Sequence, residues 1–445
     1  MAFKDIRKSR KWLSPHEIRI IIGFLLIFAA LLALNVYLAR TVVGGEWLMM
    51  RWNAVRSFLG LQVDRSVGLK GWRTMPDGES VILRPVPNIY GGEIAHSIQQ
   101  VVYGREAFAT EYKYILSDPF PFVLLYTPLA FLTNFPIVRA VWMLLAEIAL
   151  LLSVLFSYRL SEWEPPLGLN IILIGFGLFS FFSLNALLTA SPAILLNLLY
   201  LGALLALRSH SDELAGALLL FAAYQWEVGG LFFLLIIIFV FANRRWGVLA
   251  GFGMSLILLM ILSFLVDPGW GLPYIRSVLS NLLQARNLNL GAIISGWFPE
   301  VRFSLGWLVS VVLVGVVAIE SIGALYAPFR RLVWVASLAL AAMPLAGLAI
   351  FPANYLVLIL PMVLVVSLIW ERWPRGRLVA MTLILLLFIV APYYLYTKTV
   401  LAYNPFYTEL LSVLPSVLMI IALYWMRWWV VHSPRIWADR IGNLR

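Results

Sequence analysis

Long apolar runs, separated by short basic turns and two long polar excursions, set the pattern of this chain. The clearest runs cover residues 18–38, 120–134, 139–157, 167–184, 190–207, 247–265, 304–323, 332–350, 355–370, 378–395 and 410–424. Most approach the roughly 20 residues that carry a helix across a bilayer core. The pattern therefore predicts an all-α, polytopic transmembrane helical bundle. A further run, 215–241, is interrupted by Gln225-Trp226-Glu227 and Gly229-Gly230. It reads either as one long tilted span or as a broken, re-entrant pair. Counted once, it brings the total to about 12 spans. Gly247 and Gly251 present a small-xxx-small packing face.

The polar excursions, 41–119 and 267–303, are predicted as outer loops bearing surface helices. In the first, 46–59 carries Trp47, Arg51, Trp52, Arg56 and Phe58, the makings of an interfacial helix on the outer surface. Residues 62–80 read as loop. A Pro-rich stretch, 84–88, leads into a helix over 92–102 that Gly104 stops. A second loop follows, with Arg105, Glu106, Glu111, Lys113 and Asp118. In the second excursion, 274–285 is predicted as a surface helix.

Composition agrees with this pattern. Of 445 residues, 62% are hydrophobic and 12% charged, and mean hydropathy is +0.90. Soluble domains average about 45–50% apolar and about 25% charged. The net charge of +11 sits largely in short turns and tails, where the positive-inside rule explains it without nucleic acid. The basic segment 1–17 and the basic tail 431–445 are then cytoplasmic, flanking one transmembrane domain over 18–430. The expected location is the plasma membrane. The first apolar run is too long for a signal-peptide core and reads as an uncleaved span. With 0 cysteines and 4 scattered histidines, no disulfide, thiol nucleophile or metal cluster is expected. Walker and dinucleotide loops are missing too, so no cofactor is expected.

Candidate chemistry concentrates in the first excursion. Glu93, His96 and Gln100 share one face of the predicted 92–102 helix. Glu93 is the candidate general base with His96 as its neighbour; a first-turn acid favoured by the helix dipole is the plainer alternative. Asp118 reads as a helix cap before Pro119. Arg84, Arg105, Lys113, Arg276 and Arg286 are candidates to grip a phosphate head, or to snorkel to lipid headgroups. Asn88 and Tyr90 complete the candidate substrate contacts. Three acids, Glu147, Glu227 and Glu320, lie in apolar runs; Glu227, at the Gln-Trp-Glu break, is the functional candidate among them.

In order, Tyr90 with Tyr103-Gly104-Arg105, Pro119-Phe120-Pro121-Phe122, Tyr126-Thr127-Pro128, 192–199 with Asn197, Leu214-Ala215-Gly216, Ala222-Ala223-Tyr224-Gln225 and Asn243-Arg244-Arg245-Trp246 form a set. The set resembles the membrane glycosyltransferases of family 87, within the GT-C class. That resemblance implies transfer of a hexose, often mannose, from a polyprenyl-phosphate donor to a glycan, lipid or protein acceptor at the non-cytoplasmic face. It also implies a catalytic acid in the first outer loop. Relatives usually place an Asp where this chain has Asn88, and a Lys-Pro pair where it has Gln225-Trp226-Glu227. Two other readings stand beside transfer: a lipid-linked glycan transporter or flippase, and a catalytically inactive relative acting as a partner subunit.

Overall fold

All regular structure among the described residues is helical. The computed structural model describes residues 15–61, 88–108, 111–285, 289–298, 300, 304–402 and 405–431. The expected loop at 62–80, Arg84, Arg286 and the tail beyond 431 lie outside these. Helix α1 (Pro15–Thr41) leads into α2 (Glu46–Phe58) at an angle of 89°. Gly44 and Gly45 make that bend at φ 146° and 88°. A Cβ on Gly44 would lie 2.4 Å from the Leu188 carbonyl oxygen, so glycine is required on both counts. Helix α3 (Gly92–Tyr103) ends where Gly104 turns left-handed. Then follow two single turns, α4 (Phe120–Val123) and α5 (Thr127–Ala130), and the long α6 (Phe135–Leu160). Next come α7 (Leu167–Phe179), α8 (Phe181–Leu188), α9 (Ala193–Arg208), α10 (Asp212–Ala222), α11 (Trp226–Ala242) and α12 (Trp246–Val266). The rest are α13 (Gly271–Ala285), α14 (Leu290–Trp297), α15 (Ser304–Ala324), α16 (Phe329–Ala342), α17 (Ile359–Arg372), α18 (Arg377–Ala402) and α19 (Pro405–Val431).

Polar contacts define two ends of the bundle. At one, Arg139 near the start of α6 donates to the carbonyls of Val42 (2.6 Å) and Leu188 (2.7 Å), joining the ends of α1 and α8. Helices α2, α3 and α13 gather there too; we call it the loop-rich end. At the other, Arg208 pairs with Glu162 (2.7 Å), Arg245 with Asp212, Arg330 with Glu371 (3.4 Å), and Arg427 with Glu320 (3.0 Å). This is the arginine-rich end. Helix α17 is buried in the middle, whereas α12, α15 and α18 leave most of their apolar surface uncovered. That uncovered surface suits helices whose solvent is lipid.

Among the described residues six helices are long and apolar enough to cross a bilayer, or eight if each of two bent pairs forms one span. The difference from the expected twelve has visible causes. Helix α9 has 16 residues and α16 has 14, both below spanning length. The run 120–134 is no continuous helix. Pro121 and Pro128, unable to donate a backbone hydrogen bond, leave two four-residue turns around a 3-10 turn. These turns lie against α2, where Arg56 donates to Ala130 O (2.7 Å) and Trp52 to Leu129 O (3.1 Å).

The run 215–241 resolves as the re-entrant pair. Asp212, opening α10, pairs with Arg245, just beyond the end of α11. Both feet of the hairpin therefore stand at the arginine-rich end. The 11 residues of α10 rise about 16 Å, roughly half a bilayer core. The anticipated glycine face holds this limb. A Cβ on Gly251 of α12 would lie 2.1 Å from the Glu213 carbonyl oxygen, and one on Gly216 of α10 1.9 Å from that of Val248. Gly251→Leu should therefore cost about 3 kcal/mol or more, the upper range for overpacking, because backbone rather than a side chain must yield. A melting temperature in detergent equal to wild type would contradict this close contact.

Two acids within apolar runs prove structural. Glu147 accepts from the Asn35 amide at 3.1 Å, locking α6 to α1. Glu320 sits between Arg427 and Arg331.

Candidate functional site

The site forms where the first polar excursion meets the hairpin tip. Helix α2 is expected as a surface helix, but Leu48, Met50–Ser57 are buried beneath α3 and the segment after it. From Glu111 to Asp118 burial alternates: Tyr112, Tyr114, Leu116 and Asp118 face inward while Lys113, Ile115 and Ser117 are half-covered. Tyr112 packs against Trp47 (5.3 Å between rings) and Phe351 (5.0 Å). Asp118 continues the inward row and is carried into the protein by it.

A buried charge cluster results. The Asp118 carboxylate lies 2.6 Å from Arg51 Nε, and neither side chain is more than 5% exposed. Gln225, in the turn between α10 and α11, donates to Asp118 Oδ1 at 3.4 Å. Two residues on, half-buried Glu227 accepts from Asn281 of α13 at 3.5 Å. Asn281 also bonds Ser117 (3.1 Å) and accepts from Tyr112 (3.1 Å). Tyr90 donates to the Asp118 carbonyl at 2.9 Å; burial and the nearby Asp118 charge push its phenol pKa up, keeping the donor proton in place. Both polar excursions and the hairpin tip thus converge on Asp118 and Glu227. One Nη of Arg51 is buried with no hydrogen-bond partner among the described residues.

Beside this cluster lies a cleft of about 250 Å³ between α3 and α13. Asn88, Tyr90, Gly92, Arg276, Ser277 and Ser280 line it, and among the described residues no carboxylate does so. Its wall is the segment that carries Asp118: Ser277 donates to Leu116 O. The exposed Arg276 and the N-terminal turn of α3 give the cleft a positive character.

The other sequence candidates lie apart. Glu93 is exposed on α3 and makes no hydrogen bond or ion pair among the described residues. His96 faces not Glu93 but Glu106, at 3.4 Å on the surface. Arg105 grips Glu111 through two bonds (2.7 and 2.8 Å) and stacks over Phe108. Arg105 holds the Glu111 carboxyl below its usual range, so both groups serve the loop. Lys113 contributes its carbonyl to Gln99 (2.7 Å). Asp118 is no simple helix cap: its carboxylate goes to Arg51. Arg51, Tyr112 and Asn281 escaped the sequence reading as site residues, although Tyr112, Tyr114 and Leu116 alternate visibly with polar neighbours. Among the described residues no group of three or more His, Asp or Glu is placed to hold a metal.

Comparison with known proteins adds no identification: no family model, no curated protein and no solved structure matches the chain.

Proposed function

We propose that this chain is an integral membrane glycosyltransferase of the GT-C type. It moves a mannose-like hexose from a polyprenyl-phosphate donor to a lipid-linked or other acceptor. The observation that carries the reading is the buried convergence of Asp118, Glu227 and Arg51 where two polar excursions meet a re-entrant hairpin, in an otherwise apolar bundle. Positive-inside bias puts the arginine-rich end in the cytoplasm and the cleft at the outer face of the plasma membrane. The prenyl chain stays in lipid; the phosphate meets Arg276 and the N-terminal turn of α3. In this reading the about 12 membrane segments of the GT-C plan include the short helices and the re-entrant ones that fold back without crossing.

Asp118 is committed to Arg51, whereas among the described residues Glu227 has only the long Asn281 contact. We therefore assign Glu227, not Glu93, as the base. It takes the proton of the acceptor hydroxyl as that oxygen attacks C1 of the sugar. The C1–O bond to phosphate breaks, its electron pair leaves with the polyprenyl phosphate, and the anomeric centre inverts. Arg51 and Arg276 offset the negative charge at each side.

The test is transfer of labelled hexose from a polyprenyl-phosphate donor by purified protein, with the linkage of the product determined. Inverted product is expected, and Glu93→Gln should retain activity within about threefold, since an exposed acid remote from the cluster offers little of the gain of a general base. Loss of transfer in Glu93→Gln alone would return the base to Glu93.

One observation favours a second reading, the inactive relative acting as a partner subunit: among the described residues no acid lines the cleft. Donor binding without transfer by the wild-type protein would decide for it. A transporter needs access from both ends, and the ion pairs of Asp212, Glu320 and Glu371 tie the arginine-rich end together.

A further inference from the structure

A second basic site stands at the opposite end of the bundle, independent of any transfer chemistry. Helix α17 ends at Arg372, the chain turns through Trp373–Gly376, and α18 starts at Arg377. Gly376 takes φ 86°, which permits the tight turn. Three arginines, Arg372, Arg375 and Arg377, fall within this turn. The one carboxylate beside them, Glu371, is taken by Arg330 at 3.4 Å. None of the three arginines makes an ion pair among the described residues. Arg372 Nε is buried with no hydrogen-bond partner among the described residues, and Arg375 is exposed.

Indole rings surround this charge. The Arg377 guanidinium lies 3.7 Å from the centre of the Trp370 ring. Trp373 packs on Trp425 (4.6 Å) and Trp429 (6.0 Å), tying the turn to the end of α19. Trp425 is half-exposed. Below the rings, Leu378, Val379, Leu383 and Ile421 are uncovered apolar positions on α18 and α19. Elsewhere at this end the arginines Arg208, Arg245, Arg330, Arg331 and Arg427 have carboxylate partners.

We propose that this turn binds an anionic phospholipid of the leaflet at the arginine-rich end. Its phosphate is held by Arg372, Arg375 and Arg377, and its acyl chains lie along the uncovered faces of α18 and α19. Guanidinium forks match phosphate oxygens in geometry as well as charge. Indoles favour the headgroup level. Unpaired arginines directly flanking membrane helices attract anionic lipid. Arg159 and Arg244 at this end also make no ion pair among the described residues, but each stands alone, whereas three such arginines share this one turn beside Trp370 and Trp373.

The experiment uses the full chain in nanodiscs of phosphatidylcholine with and without phosphatidylglycerol, with lipid retention read by native mass spectrometry after detergent extraction. Wild type should retain phosphatidylglycerol in preference to phosphatidylcholine. Each arginine removed, in R375Q and then R372Q/R375Q/R377Q, should weaken that binding about fivefold. The exposed Arg375 makes no ion pair or hydrogen bond among the described residues, so the single variant tests the idea even if the triple variant misfolds. Arg40→Gln at the loop-rich end should change nothing. Equal retention of the two lipids, undiminished binding in R375Q, an equal loss in Arg40→Gln, or displacement by inorganic phosphate at matched ionic strength would each overturn the proposal.

Discussion

Arg51→Met should disable folding of the loop-rich end. Arg51 and Asp118 are among the most deeply buried charges in the protein, 2.6 Å apart. Removing one partner of such a pair leaves the other charge buried and alone, at about 3–5 kcal/mol. A domain's whole stability is commonly about 5–15 kcal/mol, so the loss is large. Arg51 also donates to the Trp47 carbonyl at 2.7 Å and so braces α2 from within. The companion experiment replaces both charges, Arg51→Met with Asp118→Leu. Apolar residues of similar volume often replace a buried ion pair without net cost, so the double variant should recover much of the melting temperature. A single variant that melts with wild type would mean that the pair is not holding the segment in place. A double variant worse than the single would mean that the guanidinium acts through its backbone bond instead.

Glu227→Gln should lower transfer by about 10²–10⁴-fold, the usual contribution of a general base, while leaving the fold intact. The amide is nearly isosteric with the carboxylate. Its oxygen can still accept from Asn281, so the Asn281 contact that joins the hairpin to α13 survives. The loss should appear in kcat with little change in KM, because the proton moves only as the acceptor attacks. Asp118→Asn is the instructive contrast. It weakens the pair with Arg51 and should lower the melting temperature along with activity. Full activity in Glu227→Gln would remove Glu227 from the mechanism. Activity and melting temperature falling together would make it a structural residue.

The sequence carries the architecture better than the site. Apolar run length identifies helices, so an all-helical membrane-type bundle with a first polar excursion over 41–119 and a second over 267–303 is legible. Break points are less so. The run 215–241 leaves two readings open, and only the pairing of Asp212 with Arg245 shows that its ends come together. For 120–134, Pro128 marks a short, broken span in the sequence, but that the run splits into two separate turns depends on Pro121 as well. Site residues depend on contacts between distant segments. Arg51 meets Asp118, and Asn281 meets both Ser117 and Glu227, across separations that no local pattern encodes. Helical spacing suggests a Glu93–His96 pair because residues three apart share a face. In the folded chain that face is the exposed one, and Glu106 from the following loop supplies the histidine's neighbour.

The hairpin with both feet at one end has a consequence for orientation along the chain. Counting every apolar run as a crossing turns the polypeptide over at 120–134 and again at 215–241. The first run instead folds back at the loop-rich end and the second at the arginine-rich end. Between them, α6 to α9 therefore run opposite to the direction that counting assigns. Glu162 and Asp212 come to stand on the same side as Arg245. The two miscounts cancel beyond α11, so α12 and everything after it keep their assigned direction: the inverted block is α6 to α9 alone.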